Sequence, residues 1–240
     1  KDGAINTIKP CVFSFGFNRK FKKGPIEIDI PSTLPYKFGP TFHGTFSIGE
    51  YITNYDNFPT TIEGYLNINV GAPSLVSNLK NVTYDINLYV VQPSSLEGMP
   101  VAGRNVTLAF AGATLKNLIG MQKEVENLRL RYLFDSNYFY KDKIPKYLRV
   151  LPNEISFEGI SDIIKGDLSV DFPPTPSILN ELVKVDIADR VRGKIYIREN
   201  SEGSYGMMEL PDAFKYTRRF KTDIEKLKGD VDLNLGSLLE

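Results

Sequence analysis

HGTFSIG at 43–49, EGYLNIN at 63–69, KGDLSVD at 165–171, RGKIYIR at 192–198 and KGDVDLN at 228–234 share one form: any residue, Gly, any residue, then apolar, polar, apolar. The last three positions alternate with the period of two that a strand imposes, because successive Cβ atoms point to opposite sides of a sheet. A Gly at a strand entrance allows a positive φ, a bulge or a close crossing of backbones. Five copies predict strands that begin and bend alike, as in a curved sheet or barrel. Their spacing is irregular, which argues against a solenoid of fixed period.

The same alternation extends beyond the motif. Val82, Tyr84, Ile86, Leu88 and Val90 fall on one face, with Thr83, Asp85 and Asn87 on the other. Phe13-Phe15-Phe17, Ile26-Ile28-Ile30, Ile62-Gly64-Leu66-Ile68-Val70, Val106-Leu108-Phe110 and Leu168-Val170-Phe172 repeat the pattern. Three segments read as helices. Leu115, Leu118, Ile119, Val125, Leu128 and Tyr132 fit one helical face, with Glu124, Glu126, Arg129 and Arg131 turned to solvent. A second helix follows Pro173-Pro174-Thr175-Pro176, with Ser177 as N-cap and Ile178, Leu182 and Val183 inward. A third, capped by Asp212, carries Phe220, Ile224 and Leu227. The fold class expected is mainly β (α+β), with antiparallel curved sheets forming a sandwich or partly open barrel and about three helices packed against them. The favoured organisation is one domain over residues 1–240, divisible into lobes 1–112 and 153–240 joined by a helix and long connection at 113–152.

Composition narrows the function. The 240 residues carry 29 Lys+Arg and 29 Asp+Glu, so the net charge is zero and gives no excess of cations to displace counterions from nucleic acid. One Cys excludes an internal disulfide framework and a Cys-based zinc cluster. No run of apolar residues is long enough for a transmembrane helix. Asn81-Val-Thr83 and Asn105-Val-Thr107 are sequons at strand openings. The start at Lys1 suggests a processed or trimmed chain, and an extracytoplasmic, cell-surface or particle-associated location is the weak preference.

Catalytic sets are thin. His43, the only imidazole, shares the outer side of its strand with Thr45 and Ser47, and no Gly-x-Ser-x-Gly elbow supplies a nucleophile. Cys11 leads into an apolar strand and reads as a small buried thiol. Asp230-Val-Asp232-Leu-Asn234 imitates the start of a calcium loop but lacks its Gly and distal Glu. Glu154 with Glu158, or Asp167 with Asp171, are the carboxylate pairs a hydrolase would use. No phosphate-cradling glycine motif occurs. No cofactor and no metal is therefore expected.

Aromatic and basic residues supply the remaining candidates. The chain has 15 Phe and 13 Tyr but no Trp. Tyr51, Tyr55, Phe58, Tyr138, Phe139 and Tyr140 fall in loops or on outer strand faces, where Tyr suits contact surfaces. Residues 18–24 and 215–221, the latter containing Arg218 and Arg219, interleave basic and aromatic side chains. The reading is a non-enzymatic binding or assembly protein using Tyr138, Phe139, Tyr140, Arg218 and Arg219, with a protein partner or a second copy of itself. The alternative is a carrier of a lipid or other long apolar ligand in a curved-sheet cavity, and the third is a carboxylate-based hydrolase.

Overall fold

A computed structural model describes residues 3–15, 32–34, 36–48, 52–68, 78–89, 96–110, 115–132, 154–172, 176–198 and 207–209. Its strands are β1 (Cys11–Phe15), β2 (Ser32–Thr33), β3 (Thr41–Ile48), β4 (Ile52–Asn54), β5 (Thr61–Ile68), β6 (Asn81–Val82), β7 (Ile86–Tyr89) and β8 (Val101–Ala102). They continue with β9 (Val106–Phe110), β10 (Glu124–Val125), β11 (Leu128–Tyr132), β12 (Ile163–Ile164), β13 (Leu168–Asp171), β14 (Ile195–Arg198) and β15 (Met207–Glu209). Two short helices, α1 (Pro176–Lys184) and α2 (Ile187–Arg190), lie between β13 and β14.

The sheet is parallel, not antiparallel. Its main path runs β1-β3-β5-β7-β9-β11-β13-β14-β15, and every pair along it is parallel except β14 with β15. Phe46 stands opposite Leu66, then Ile86, Val106, Leu128, Leu168 and Ile195, a register that steps by 20, 20, 20, 22, 40 and 27 residues. Each coil of chain therefore lays its strand beside the equivalent strand of the coil before, about 4.8 Å away. This replaces the expected sandwich or barrel, and also the rejection of a coil repeat. The glycine form marks only some coils, because Tyr84, Arg104 and Glu126 occupy the motif's glycine position in the intervening ones.

A second, shorter signal recurs in three of the coils. Leu96-Glu97-Gly98-Met99, Leu118-Ile119-Gly120-Met121 and Phe157-Glu158-Gly159-Ile160 are turns in which the fourth N–H bonds to the first carbonyl at 3.0–3.1 Å. Their glycines have φ of +79°, +97° and +85°, the left-handed conformation required at the third position of a type II turn. Gly120 also has a neighbour's backbone where a side chain would stand, since its Cβ would lie 2.3 Å from the Glu97 nitrogen. The turns stack too: the Leu96 N–H donates to the Ile119 carbonyl and the Leu118 N–H to the Glu158 carbonyl.

These ladders explain why residues 115–132 are not a helix. Leu115, Leu118 and Met121 point inward from the returning limb of a coil, Val125 from β10, and Leu128 and Leu130 from β11. A path that folds back on itself buries Leu115, Leu118, Val125 and Leu128 as a helical face would, but leaves Ile119, expected inward, 41% exposed. The helix after the proline cluster does form, but it begins at Pro176, which places Ser177 inside its first turn instead of at the cap. Ile178 and Leu182 are buried as expected and Val183 packs against the core. The expected third helix at 212–227 lies outside the described residues.

The inside of the coils is filled by side chains. Phe42, Phe46, Ile62, Leu66, Ile86, Val106, Leu128, Leu168 and Ile195 enter from the sheet, meeting Leu34, Phe58, Leu96, Leu118, Phe157 and Leu182 from the returning limbs. Tyr55 and Phe58, expected at a contact surface, belong to this core, with ring centroids 4.8 Å apart.

Candidate functional site

Because side chains alternate along each strand and coils stack in register, outward residues form columns. One runs Val12, Thr45 and Tyr65, paired in register, and continues one residue ahead of the next paired positions through Asp85, Asn105, Asn127, Asp167 and Lys194, which are linked by hydrogen bonds. A second runs Ser14, Ser47, Asn67, Asn87, Thr107, Arg129, Ser169 and Tyr196.

The first column sits at a corner. From residue 81 onward, each coil's strand is interrupted there, between β6 and β7, β8 and β9, β10 and β11, and β12 and β13. An interrupted ladder leaves backbone donors to be satisfied by side chains. Asp85 Oδ1 accepts the Asn105 N–H at 3.2 Å, Asn127 Oδ1 the Asp167 N–H at 2.7 Å, and Asp167 Oδ1 the Lys194 N–H at 2.7 Å. The amides also bond to one another, Asn105 Nδ2 donating to Asp85 Oδ1 at 2.9 Å and Asn127 Nδ2 to Asn105 Oδ1 at 2.7 Å. Asp85 is an acceptor-only end for this amide chain. The second column carries a similar chain, from Asn87 Nδ2 to Asn67 Oδ1 at 2.9 Å and from Asn67 Nδ2 to Ser47 Oγ at 3.2 Å. Of the two sequons, Asn105 thus has its amide committed to the ladder, whereas Asn81 is exposed at the start of β6.

Beside this ladder stand two exposed tyrosines and an arginine. The rings of Tyr65 and Tyr84 lie 5.2 Å apart, inclined at 47°, and the Arg104 guanidinium lies 5.3 Å from the Tyr84 centroid. Among the described residues Arg104 takes part in no ion pair. One face of its guanidinium is held by Tyr84, which orients the donors at its edge. Alternation placed Tyr84 on the buried face with Val82 and Ile86. The corner at 83–85 rotates it outward, and the corner itself was readable from the Asx residue at position 85, 105, 127 and 167 of successive coils.

Several charged groups elsewhere on the outer surface pair with one another. Asp171 is buried, and its Oδ2 lies 2.8 Å from Arg129 Nε, 2.6 Å from Arg129 Nη2 and 3.4 Å from Arg131 Nε. The Cα atoms of Asp167 and Asp171 are about 13 Å apart along extended chain, farther than a glycosidase pair requires. His43 Nδ1 contacts Glu63 Oε2 at 2.8 Å across β3 and β5. Cys11 is exposed, contrary to the buried thiol expected, because β1 is the terminal strand of the sheet order. Its Sγ donates to the His43 carbonyl at 3.6 Å and not to the imidazole. Glu181 on α1 titrates below its ordinary value. Burial raises its pKa, but the Lys184 ammonium, the Phe157 N–H and the Ser156 hydroxyl outweigh that and leave it below its ordinary value. It ties α1 to the segment beneath it.

Tyr138, Phe139, Tyr140, Arg218 and Arg219, together with the clusters at 18–24 and 215–221 and the acids at 230–234, lie outside the described residues. Among the described residues no group of three or more His, Cys, Asp or Glu is placed to hold a metal ion, and no helix is long and apolar enough to cross a membrane. No protein-family model, curated protein or solved structure matches this chain.

Proposed function

We propose that this chain is a non-enzymatic binding or assembly protein that offers the outer corner of a rigid coil stack to a protein partner. The observation that supports this reading is the Tyr65–Tyr84–Arg104 group. Large aromatic rings and a guanidinium, exposed together and held in mutual contact, are the residue types that dominate binding energy at protein interfaces. The Asx ladder beside them fixes the backbone that carries them, which lowers the ordering cost of binding. An apolar carrier would need a cavity where this chain has Phe42, Phe46, Leu66 and Phe157 packed almost completely out of solvent.

The test compares wild type with the double variant Tyr84→Ser, Arg104→Ser. Both are immobilised at equal density and exposed to an extract of the native cells, and the retained proteins are identified by mass spectrometry. Both positions are exposed, so the variant should keep its melting temperature. The reading expects a protein retained by wild type and at least tenfold depleted on the folded variant, the loss expected of a hot-spot pair worth about 1.4 kcal/mol or more. Equal recovery of every protein by the two would remove the corner as the binding site.

A further inference from the structure

At the corner the backbone ladder carries one residue per coil, in the order Gly44, Gly64, Tyr84, Arg104, Glu126, Gly166 and Gly193. From Tyr84 onward each N–H donates to the carbonyl of the residue before it in this row, at 2.6–3.1 Å. Tyr84, Arg104 and Glu126 are exposed and form a ridge two strand spacings long, about 10 Å, with glycines on both sides of it. Arg104 and Glu126 stand on neighbouring coils with opposite charge, yet among the described residues neither takes part in an ion pair. The Arg104 guanidinium lies over the Tyr84 ring, toward the preceding coil and away from Glu126.

Reversed, this row exchanges the cation for the anion and the ring for a glycine. The complement of the ridge is therefore the same ridge turned about a two-fold axis. Resting on the corner reading proposed above, we infer that the protein partner there is a second copy of the chain, with Arg104 of each copy meeting Glu126 of the other.

The axis lies between the Arg104 and Glu126 levels, perpendicular to the stack. It creates two reciprocal ion pairs, in which a guanidinium already oriented by Tyr84 offers its planar donor edge to a carboxylate. Tyr84 then lies over Gly166 of the second copy, which has no side chain to obstruct the ring. Gly64 faces Gly193, and the residues before those two glycines, Glu63 and Arg192, are both exposed and carry unlike charge. Asp85 and Asp167 also fall opposite one another, but both are half-buried and each already accepts a backbone N–H. A partner carrying one sign of charge would set either Arg104 or Glu126 against its own kind. A second copy matches both.

Sedimentation velocity from micromolar to near-millimolar concentration, at low and high salt, tests this. The samples are wild type, Arg104→Glu, Glu126→Arg, an equimolar mixture of those two variants, and the control Glu158→Arg. All three positions are exposed, and thermal melts establish that each variant is folded. Wild type and Glu158→Arg should dimerise, more weakly as salt rises. Arg104→Glu and Glu126→Arg should each self-associate about tenfold more weakly or worse, because each sets like charges opposite one another. Their mixture should form a 1:1 heterodimer that recovers most of the loss, since one variant supplies carboxylates at both levels and the other guanidinium groups at both. A structural defect at either position would not be repaired by mixing. A monomeric wild type, a dimer that survives both single variants, or a mixture that stays monomeric overturns the inference. The extract experiment separates this failure from that of the corner reading. If wild type is monomeric and a different protein is lost on Tyr84→Ser, Arg104→Ser, the second copy is excluded and the corner stands; equal recovery of every protein removes the corner as well.

Discussion

Gly64→Ala should cost about 3 kcal/mol or more, at or beyond the upper end of ordinary overpacking penalties, and leave little folded protein at physiological temperature. A Cβ on residue 64 would lie 1.7 Å from the Gly44 carbonyl oxygen and 2.5 Å from its carbon. Both are backbone atoms of the adjacent coil, fixed in the β3–β5 ladder, so no rotamer change relieves the collision. The φ of Gly64 is not in the left-handed region, which makes the collision the whole effect. Gly3→Ala supplies the contrast. Its φ of +69° carries a conformational penalty, but nothing lies within 4 Å of the added carbon. Denaturant titrations of the two variants should differ by most of the Gly64 cost; equal small losses would mean that the coils do not approach so closely.

The second large effect is expected at Phe46. Its ring is fully buried and meets Phe13, Phe38, Phe42 and Phe58 at centroid distances of 4.8, 5.0, 5.1 and 5.2 Å. Phe46→Ala removes the central ring of this cluster and leaves neighbours on two different limbs of the coil without a partner. The expected loss is about 3–5 kcal/mol, combining lost transfer energy with an incompletely collapsed cavity. Phe46→Leu, which keeps much of the volume, should cost roughly a third of that. Melting temperatures in that order support a dense aromatic end. A near-neutral Phe46→Ala would indicate a loose interior, the condition that an apolar carrier requires.

The strands were legible in the sequence; their direction was not. Alternation at Phe42–Ile48, Ile62–Ile68 and Leu168–Val170 reports which side chains turn inward, and it reads identically in parallel and antiparallel sheets. The glycine-led form also found real corners, since Gly44, Gly64, Gly166 and Gly193 all stand where a Cβ would strike the preceding coil. What hid the coil repeat was substitution within it. Tyr84, Arg104 and Glu126 stand at the glycine position in three successive coils, and the step of 40 residues between Leu128 and Leu168 breaks the count. The companion signal, an apolar residue followed two positions later by a left-handed glycine at 98, 120 and 159, marks three consecutive coils, two of which lack the glycine-led form.

The candidate site was less legible still. Tyr65 and Tyr84 belong to adjacent coils and meet only because the register places them together, so neither stands out from its own segment. Arg104 lies outside both basic clusters that composition singles out.

Everything at the corner depends on coils stacked in parallel at one strand spacing, and cysteine pairs test that directly. In a Cys11→Ser background, Asn67→Cys with Asn87→Cys joins adjacent coils, as does Asn87→Cys with Thr107→Cys. Their Cα atoms are about 5 Å apart, within disulfide range, whereas Asn67→Cys with Thr107→Cys spans about 10 Å and is out of reach. Mass spectrometry after mild oxidation should find the first two pairs bridged within one chain and the third pair free. An unbridged 67–87 pair, or a bridge between 67 and 107, would contradict the parallel coil stack and the corner surface built on it.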